Sequence, residues 1–224
     1  MAFLPPIIYS IWIRNTEKFN REKWRSIFLC FLWGATISVI AAFILEYILN
    51  FSLVPSIGNQ DYLNLIAVVL IAPIVEEFTK PLALRIRLIK KEINELEDGL
   101  IYGAVAGLGF SATENLLYSW SFMAEGLMIF FILISIRSIG ACLLHASATA
   151  WTGYGYGKSI INRTSIVRVL PYFLLAIILH SLYNSLLTFD IFGVTAGFIV
   201  AIILSLLTIK IVRSKIRSLD QITN

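Results

Sequence analysis

Six long apolar runs dominate this sequence of 224 residues, and each is long enough to cross a lipid bilayer as a helix. A spanning helix needs about 20 predominantly apolar residues to cover the hydrocarbon core. Only 14% of the residues are charged, against about 25% in soluble domains. The sequence therefore predicts an all-α, polytopic transmembrane helical bundle with about six spans. The predicted spans are 27–49, 63–84, 98–120, 126–150, 166–187 and 192–212.

The first 26 residues are predicted to form a lead-in at the membrane interface and in the cytoplasm. Their apolar part, residues 3–13, is too short to span and contains two prolines. It also lacks the basic start and the small-residue cleavage site of a signal peptide. No repeat, low-complexity segment or long linker divides the chain. Residues 1–224 are therefore predicted to be one membrane-embedded domain.

Basic residues are concentrated on one side of the predicted spans, which sets the expected orientation. Lysines and arginines precede the first span and follow the second, fourth and sixth spans. They include Arg14, Lys23, Arg85, Lys91, Lys158, Arg163, Arg213 and Arg217. The opposite loops carry only the acidic residues Asp61, Glu125 and Asp190. The positive-inside rule then predicts a multi-pass protein of the cell membrane with both termini in the cytoplasm. This asymmetry explains the net charge of +4, so no nucleic-acid partner is expected.

A few ionisable side chains fall within the predicted spans, and they indicate a functional site. They are Glu46, Glu76, Glu77, Lys80, Glu114, Arg137, His145 and His180. Each charge near the middle of a membrane helix costs roughly 2.5–3.5 kcal/mol on insertion scales, and such residues usually serve catalysis or ion movement. Both histidines of the chain are among them. We expect them to share a site with three of the glutamates, whereas Glu46, near the outer end of its span, is expected to reach the headgroups.

The pair Glu76 and Glu77 is followed by Lys80 on the same predicted helix. Glu76 and Lys80 are four residues apart and share a face, which favours an ion pair. Glu77 is rotated by about 100°, so the two carboxylates are expected to diverge, one toward a water or metal and the other toward a supporting contact. Pro73 and Pro81 bracket the pair and are expected to disturb the helix. A competing interpretation is a purely structural Glu76–Lys80 pair.

The third and fifth predicted spans each carry residues spaced so that they share one face of a helix. Small residues recur every four positions in the third span, at Gly99, Gly103 and Gly107, a spacing that allows close packing of membrane helices. Glu114 lies on the adjacent stripe and is expected to face the interior. In the fifth span His180 and Asn184 share a face. Together they could bind a ligand or donate hydrogen bonds to an oxyanion.

Taken in order, three patterns and one histidine resemble the PrsW family of intramembrane proteases. They are EExxK at residues 76–80, FxxxEN at 110–115, His145, and HxxxN at 180–184. That family is related to the CAAX-processing and bacteriocin-processing membrane proteases. CAAX endopeptidases typically have arginine after the paired glutamates and histidine at the end of FxxxH, where this chain has Lys80 and Glu114. The resemblance therefore favours the PrsW family over prenyl-protein processing.

The resemblance spans most of residues 63–187 and implies that they form the catalytic core of the domain. It further implies a membrane endopeptidase acting in regulated proteolysis of membrane-anchored proteins, such as a single-pass anti-sigma factor. Peptide hydrolysis needs an activated water, an oxyanion donor and an acid for the leaving amine. Glu76 is our choice for the general base, with Glu77 and Lys80 positioning it. His180 and Asn184 suit the oxyanion. Glu114 and His145 complete the water or metal site.

Two mechanisms and three other functions stay open from the sequence. In one mechanism Glu114, His145 and His180 bind a divalent metal, most plausibly zinc, which accepts nitrogen and oxygen ligands. In the other the glutamates activate water without a metal, and the absence of HExxH leaves no local zinc motif. The other functions are a CAAX-type endopeptidase, a proton- or cation-coupled transporter or channel, and an inactive scaffold on the same fold. Arg137 has no assigned role, and no pattern indicates an oligomeric state.

Overall fold

The computed structural model of the protein describes residues 2–53, 59–189 and 193–221, and all of its regular elements in these ranges are helical. The all-α prediction is confirmed. Asp190 and the start of the predicted sixth span lie outside the described residues. The helices, numbered in chain order, are α1 (Leu4–Arg14), α2 (Trp24–Leu53), α3 (Gln60–Arg85), α4 (Arg87–Lys90), α5 (Leu96–Ser121), α6 (Leu127–Ile161), α7 (Ile166–Thr188) and α8 (Val194–Asp220).

Five of these helices are long and apolar enough to cross a membrane, namely α2, α3, α6, α7 and α8. Helix α5 has 26 residues. At 1.5 Å per residue it is about 39 Å long, which is also sufficient to cross. It differs from the five because it carries many glycines and polar residues and because most of its side chains are buried by neighbouring helices. The count of six spans and the orientation of the termini stay predictions.

Helix α1 is a short element with 11 residues, too short to span a bilayer. It packs against α5 and buries Ile13 in the core. Its other face exposes large apolar side chains, including Leu4, Ile8 and Trp12. A short helix that is anchored on one face and apolar on the other suits the predicted interfacial segment.

Helix α5 is the centre of the bundle and packs most extensively against α6. A Cβ atom added at Gly103 would lie 2.5 Å from the carbonyl oxygen of Thr149, and one at Gly107 would collide with the carbonyl of His145. The backbones of the two helices are therefore in direct contact along this seam, as the glycine stripe predicted. The contact at Gly107 fixes where α6 presents His145.

Helix α3 is irregular on both sides of the glutamate pair. A π-helical turn at Ala67–Ile71 precedes Pro73, and a 3₁₀ turn at Lys80–Arg85 contains Pro81. Proline lacks the N–H that a regular helix needs, so carbonyls near each proline require other donors. Asn184 donates its Nδ2 to the carbonyl of Val68 at 2.9 Å. The predicted disturbance of this helix is present, and a side chain from α7 stabilises it.

Candidate functional site

Four helices bring the predicted intramembrane residues together in one buried cluster, which we call the Glu–His cluster. Helix α3 supplies two carboxylates and an ammonium group, α5 supplies one carboxylate, and α6 and α7 supply one imidazole each. Its members are Glu76, Glu77, Lys80, Glu114, His145 and His180. Apart from Glu114, which is half-buried, all of them are buried. The expected shared site therefore exists in the structure.

Lys80 lies at the centre of the cluster and is fully buried. Its Nζ donates to Glu76 Oε2 at 2.7 Å and to Glu77 Oε1 at 2.9 Å, and it lies 2.7 Å from His145 Nδ1. The expected divergence of the two carboxylates is therefore wrong at the level of their oxygen atoms. The Cα–Cβ bonds of the two residues do point in different directions around the helix. Glutamate side chains are nevertheless long enough to converge on one ammonium group.

The two glutamates nevertheless have different surroundings. Glu77 is fully buried: its Oε1 lies 3.1 Å from His180 Nδ1, and its Oε2 accepts a hydrogen bond of 2.8 Å from Thr149. Glu76 lines the cavity beside the cluster. Its Oε2 lies 3.8 Å from His145 Nδ1 and 3.9 Å from His180 Nε2. Glu77 therefore supports His180, whereas Glu76 faces the open centre.

Each histidine ring contacts a carboxylate through one nitrogen and faces Glu76 with the other. His145 Nε2 lies 2.8 Å from Glu114 Oε2, and His180 Nδ1 lies 3.1 Å from Glu77 Oε1. The two rings are edge to face, with centroids 4.8 Å apart. Histidines that bind metals usually have such a carboxylate behind the ring, which fixes its orientation and its tautomer.

Arg137, which the sequence left without a role, contacts the outer side of the cluster. Its guanidinium lies 3.0 Å from Glu114 Oε2 and donates from Nε to Asn115 Oδ1 at 2.9 Å. It also stacks over the ring of Tyr118 at 4.1 Å. Arg137 therefore balances the charge of Glu114 and fixes the carboxylate that orients His145.

One group of donors in this cluster has the geometry to hold a metal ion. Ligand atoms of Glu76, His145 and His180 all lie within 4.8 Å of one another, and all three residues are buried. Glu114 was expected to be the third ligand, but the structure places Glu114 behind His145. The carboxylate that faces the second nitrogen of each ring, His145 Nδ1 and His180 Nε2, is Glu76. Two nitrogens and one oxygen form a donor set that suits zinc.

A cavity of about 340 Å³ opens beside these donors. Its walls include Glu76, Glu114, Arg137, His145 and Asn184, and also Glu46. Glu46 was expected to reach the headgroups, yet it is half-buried and faces the same space. The position of Glu46 near the end of its predicted span did not indicate that its side chain faces this cavity. Thr149 was also missed, although it follows His145 by four residues and so shares its helical face.

Comparisons with known proteins agree with this site. The family described as "PrsW family intramembrane metalloprotease" matches residues 22–209. The protein named "Protease PrsW" of Clostridioides difficile (strain 630) is 33% identical over 122 residues. That alignment covers 54% of this chain and 50% of the relative, so the chain matches about half of its length. No solved structure matches the chain. Because the family match covers most of the sequence and includes every residue of the Glu–His cluster, the chain belongs to the PrsW family of intramembrane metalloproteases.

Proposed function

We propose that this chain is a metal-dependent endopeptidase that hydrolyses peptide bonds of membrane-anchored proteins. One observation carries the proposal: two histidines, each with a carboxylate behind its ring, face Glu76 at the edge of a cavity. The Glu–His cluster lies between helices that are long and apolar enough to cross a membrane. Hydrolysis at such a site requires that water be held and activated inside the bundle.

The proposed metal ligands are Glu76, His145 and His180. Zinc with three protein ligands keeps a position open for water, lowers the pKa of that water and polarises a carbonyl. The ammonium of Lys80 now contacts two of these ligands, Glu76 and His145. Binding of a metal therefore requires Lys80 to release His145 Nδ1, while its bond to Glu77 can persist.

The remaining residues have supporting roles in this proposal. Glu77 and Thr149 hold His180, and Arg137 holds the Glu114 carboxylate against His145. Such outer contacts typically change metal affinity or activity 10–100-fold when they are removed. They explain why the site contains more glutamates than a single metal needs.

Proton transfer during hydrolysis is assigned to Glu76, which borders the cavity, and to Lys80, which is buried and contacts Glu76. Glu76 is the carboxylate that faces His145 Nδ1 and His180 Nε2, and we place the attacking water next to it, whether Glu76 acts as ligand or as base. Lys80 Nζ is the cationic donor closest to Glu76 and can supply a proton to the leaving amine. Asn184 lines the same cavity, but its Nδ2 is bonded to Val68, so an oxyanion role requires that bond to open.

The proposed substrate is a single-pass membrane protein, for example an anti-sigma factor, cut in regulated proteolysis. The supporting argument is the family membership together with a cavity among helices of the bilayer. The orientation we propose, with both termini in the cytoplasm, rests on the distribution of lysine and arginine.

The test is co-expression with candidate single-pass membrane proteins, followed by analysis of the fragments. We expect Glu76→Gln and His180→Ala to lower cleavage at least about 10³-fold, since each removes a proposed ligand of the metal that would activate the water. Glu125→Gln, in an exposed loop, is the matched control and should cleave like the native chain. Undiminished cleavage by both site variants would overturn the assignment of this site.

Metal content separates the metal-dependent mechanism from the metal-free one. Purified native protein should contain about one equivalent of metal, and Glu76→Gln and His145→Ala should contain much less. Chelation should abolish cleavage, and zinc should restore it. Full activity at a metal content near zero would reject the metal and leave direct activation of water by Glu76.

A further inference from the structure

A second group of buried carboxylates lies at the end of α5 opposite to Glu114. It joins the α1–α2 connection, the start of α5 and the end of α8, and we call it the carboxylate cluster. Its members are Glu17, Glu22, Glu95, Glu97, Asp98 and Asp220. All of them are buried except Glu95, which is half-buried. The proposed hydrolysis does not use these residues.

Three members of this cluster converge on one point. Carboxylate oxygens of Glu17, Glu95 and Glu97 all lie within 4.8 Å of one another. The other three members accept hydrogen bonds from elsewhere in the cluster region. Asp98 accepts from the backbone N–H of Asn94 and Glu95, Glu22 accepts from the Tyr102 hydroxyl, and Asp220 accepts from the backbone N–H of Lys18 and Phe19.

Two of the converging side chains have no partner for their oxygens. Glu17 and Glu97 are 0% exposed, and none of their four carboxylate oxygens has a hydrogen-bond partner among the residues that the structure describes. Within residues 2–53, 59–189 and 193–221, no lysine or arginine forms an ion pair with Glu17, Glu95 or Glu97. A buried carboxylate without a partner is costly, so these oxygens require a ligand or a proton.

The nearest arginines do not fill this need. Arg21 donates its Nε to the backbone carbonyl of Glu17 at 2.9 Å, and Arg14 donates its Nε to the backbone carbonyl of Glu22 at 2.6 Å. Neither arginine side chain therefore contacts the carboxylate oxygens of Glu17 or Glu97.

We propose that Glu17, Glu95 and Glu97 bind a divalent cation of the hard type, Ca²⁺ or Mg²⁺. All three donors are carboxylate oxygens, which these ions prefer, whereas the Glu–His cluster offers imidazole nitrogens that suit zinc. The cation compensates the two unpartnered side chains, Glu17 and Glu97. It also connects the α1–α2 segment to the start of α5, so its effect is on stability and not on the bond being cut.

The test uses the full chain in detergent, carrying Glu76→Gln so that the Glu–His cluster loses one metal ligand. After treatment with a chelator, Ca²⁺ or Mg²⁺ at about a hundred-fold excess over Kd should raise Tm by about 5–10 °C. Glu17→Gln and Glu97→Gln should lose this increase. Glu92→Gln, whose carboxylate pairs with Lys23 near the surface, is the matched control and should keep it.

An equal Tm with and without Ca²⁺ and Mg²⁺, or an increase that persists in both glutamine variants, would overturn the proposal. If Glu17→Gln and Glu97→Gln do not fold, the site is tested instead by direct binding of Mn²⁺, measured by equilibrium dialysis. A chain that carries His145→Ala and His180→Ala should still bind one equivalent of Mn²⁺, and Ca²⁺ should displace it. Binding of no Mn²⁺ by that chain contradicts the site. Loss of cleavage alone bears only on the Glu–His cluster.

Discussion

The Glu–His cluster and the carboxylate cluster both contain buried acidic side chains, but they differ in how the charge of these side chains is compensated. In the first, Lys80 pairs with Glu76 and Glu77, and Arg137 pairs with Glu114. In the second, Glu17 and Glu97 have no lysine or arginine partner among the described residues, although several bases lie nearby in sequence. Burial alone therefore does not indicate the role of an acidic side chain. The presence or absence of an internal counter-charge distinguishes a site that is complete within the chain from one that needs an external cation.

The largest effect is expected from Lys80→Met, which removes the counter-charge from the Glu–His cluster. Glu76 and Glu77 would then be buried with no cation between them, and loss of one partner of a buried pair costs about 3–5 kcal/mol. We expect the variant to lose cleavage and to unfold at a markedly lower temperature. Thermal unfolding in detergent and fragment analysis measure the two losses.

A second substitution sharpens this prediction. Glu77→Gln added to Lys80→Met removes one of the two stranded charges, so it should recover part of the lost Tm without recovering cleavage. Equal stability of Lys80→Met and the native chain would contradict the counter-charge interpretation of this cluster.

A smaller and more local effect is expected from Gly107→Ala. The added methyl group collides with the carbonyl of His145, so α6 must move away from α5 near the Glu–His cluster. A shift of about 1 Å in a catalytic group can cost roughly 10²-fold in activity. Cleavage should fall by about that factor, while the stabilisation by Ca²⁺ at the carboxylate cluster should be retained.

Gly157→Ala is the matched control for this substitution on the same helix pair. Its new methyl group would lie 3.3 Å from the Cα of Gly99, a distance that a small adjustment can relieve. Cleavage should stay within a few-fold of native. A loss of cleavage as large as that of Gly107→Ala would contradict a local role of the His145 contact.

The smallest effect is expected from Glu22→Gln, measured in chelator. Burial and the nearby Asp98 raise the pKa of Glu22 to about 10, whereas the unfolded chain should ionise it near 4.3. The stability of the native chain relative to the variant is therefore present at low pH and is lost as pH rises from about 4 toward 10. The variant should gain about 1 kcal/mol or more at pH 8 and less at pH 5.

Glu22 is not one of the three proposed cation ligands, which gives this variant a second use. Denaturation midpoints at pH 5 and pH 8, with and without Ca²⁺, should show the pH effect while the Ca²⁺ increase persists. A variant that is less stable than native at pH 8 would show that the Glu22 carboxylate is compensated after all.

Much of the Glu–His cluster was predictable because helical periodicity and the cost of intramembrane charge both constrain it. Spacing alone paired Glu76 with Lys80, and the shortage of histidines elsewhere brought His145 and His180 into one site. The glycine stripe predicted the contact of α5 with its neighbour. These features depend on one helix at a time or on a choice among very few residues.

The remaining features depend on how separate helices are placed relative to each other, which the sequence does not encode locally. Glu114 was named as a ligand because its residue type suits a metal, but the packing of α5 puts it behind His145. Glu46 lines the cavity from α2 although depth counting placed it near the headgroups. The carboxylate cluster joins residues about 80 positions apart, Glu17 and Glu97, and no periodic pattern connects them.

The seam between α5 and α6 also makes this bundle a scaffold for redesign. Because Gly103 and Gly107 bring two backbones into contact, the separation of these helices is set by main-chain atoms and not by the side chains at the site. Side chains that project beside the seam, including Glu114 and His145, can therefore be exchanged without moving the helices that carry them. New donor sets for other metals could be introduced there one residue at a time, with the frame of the site unchanged.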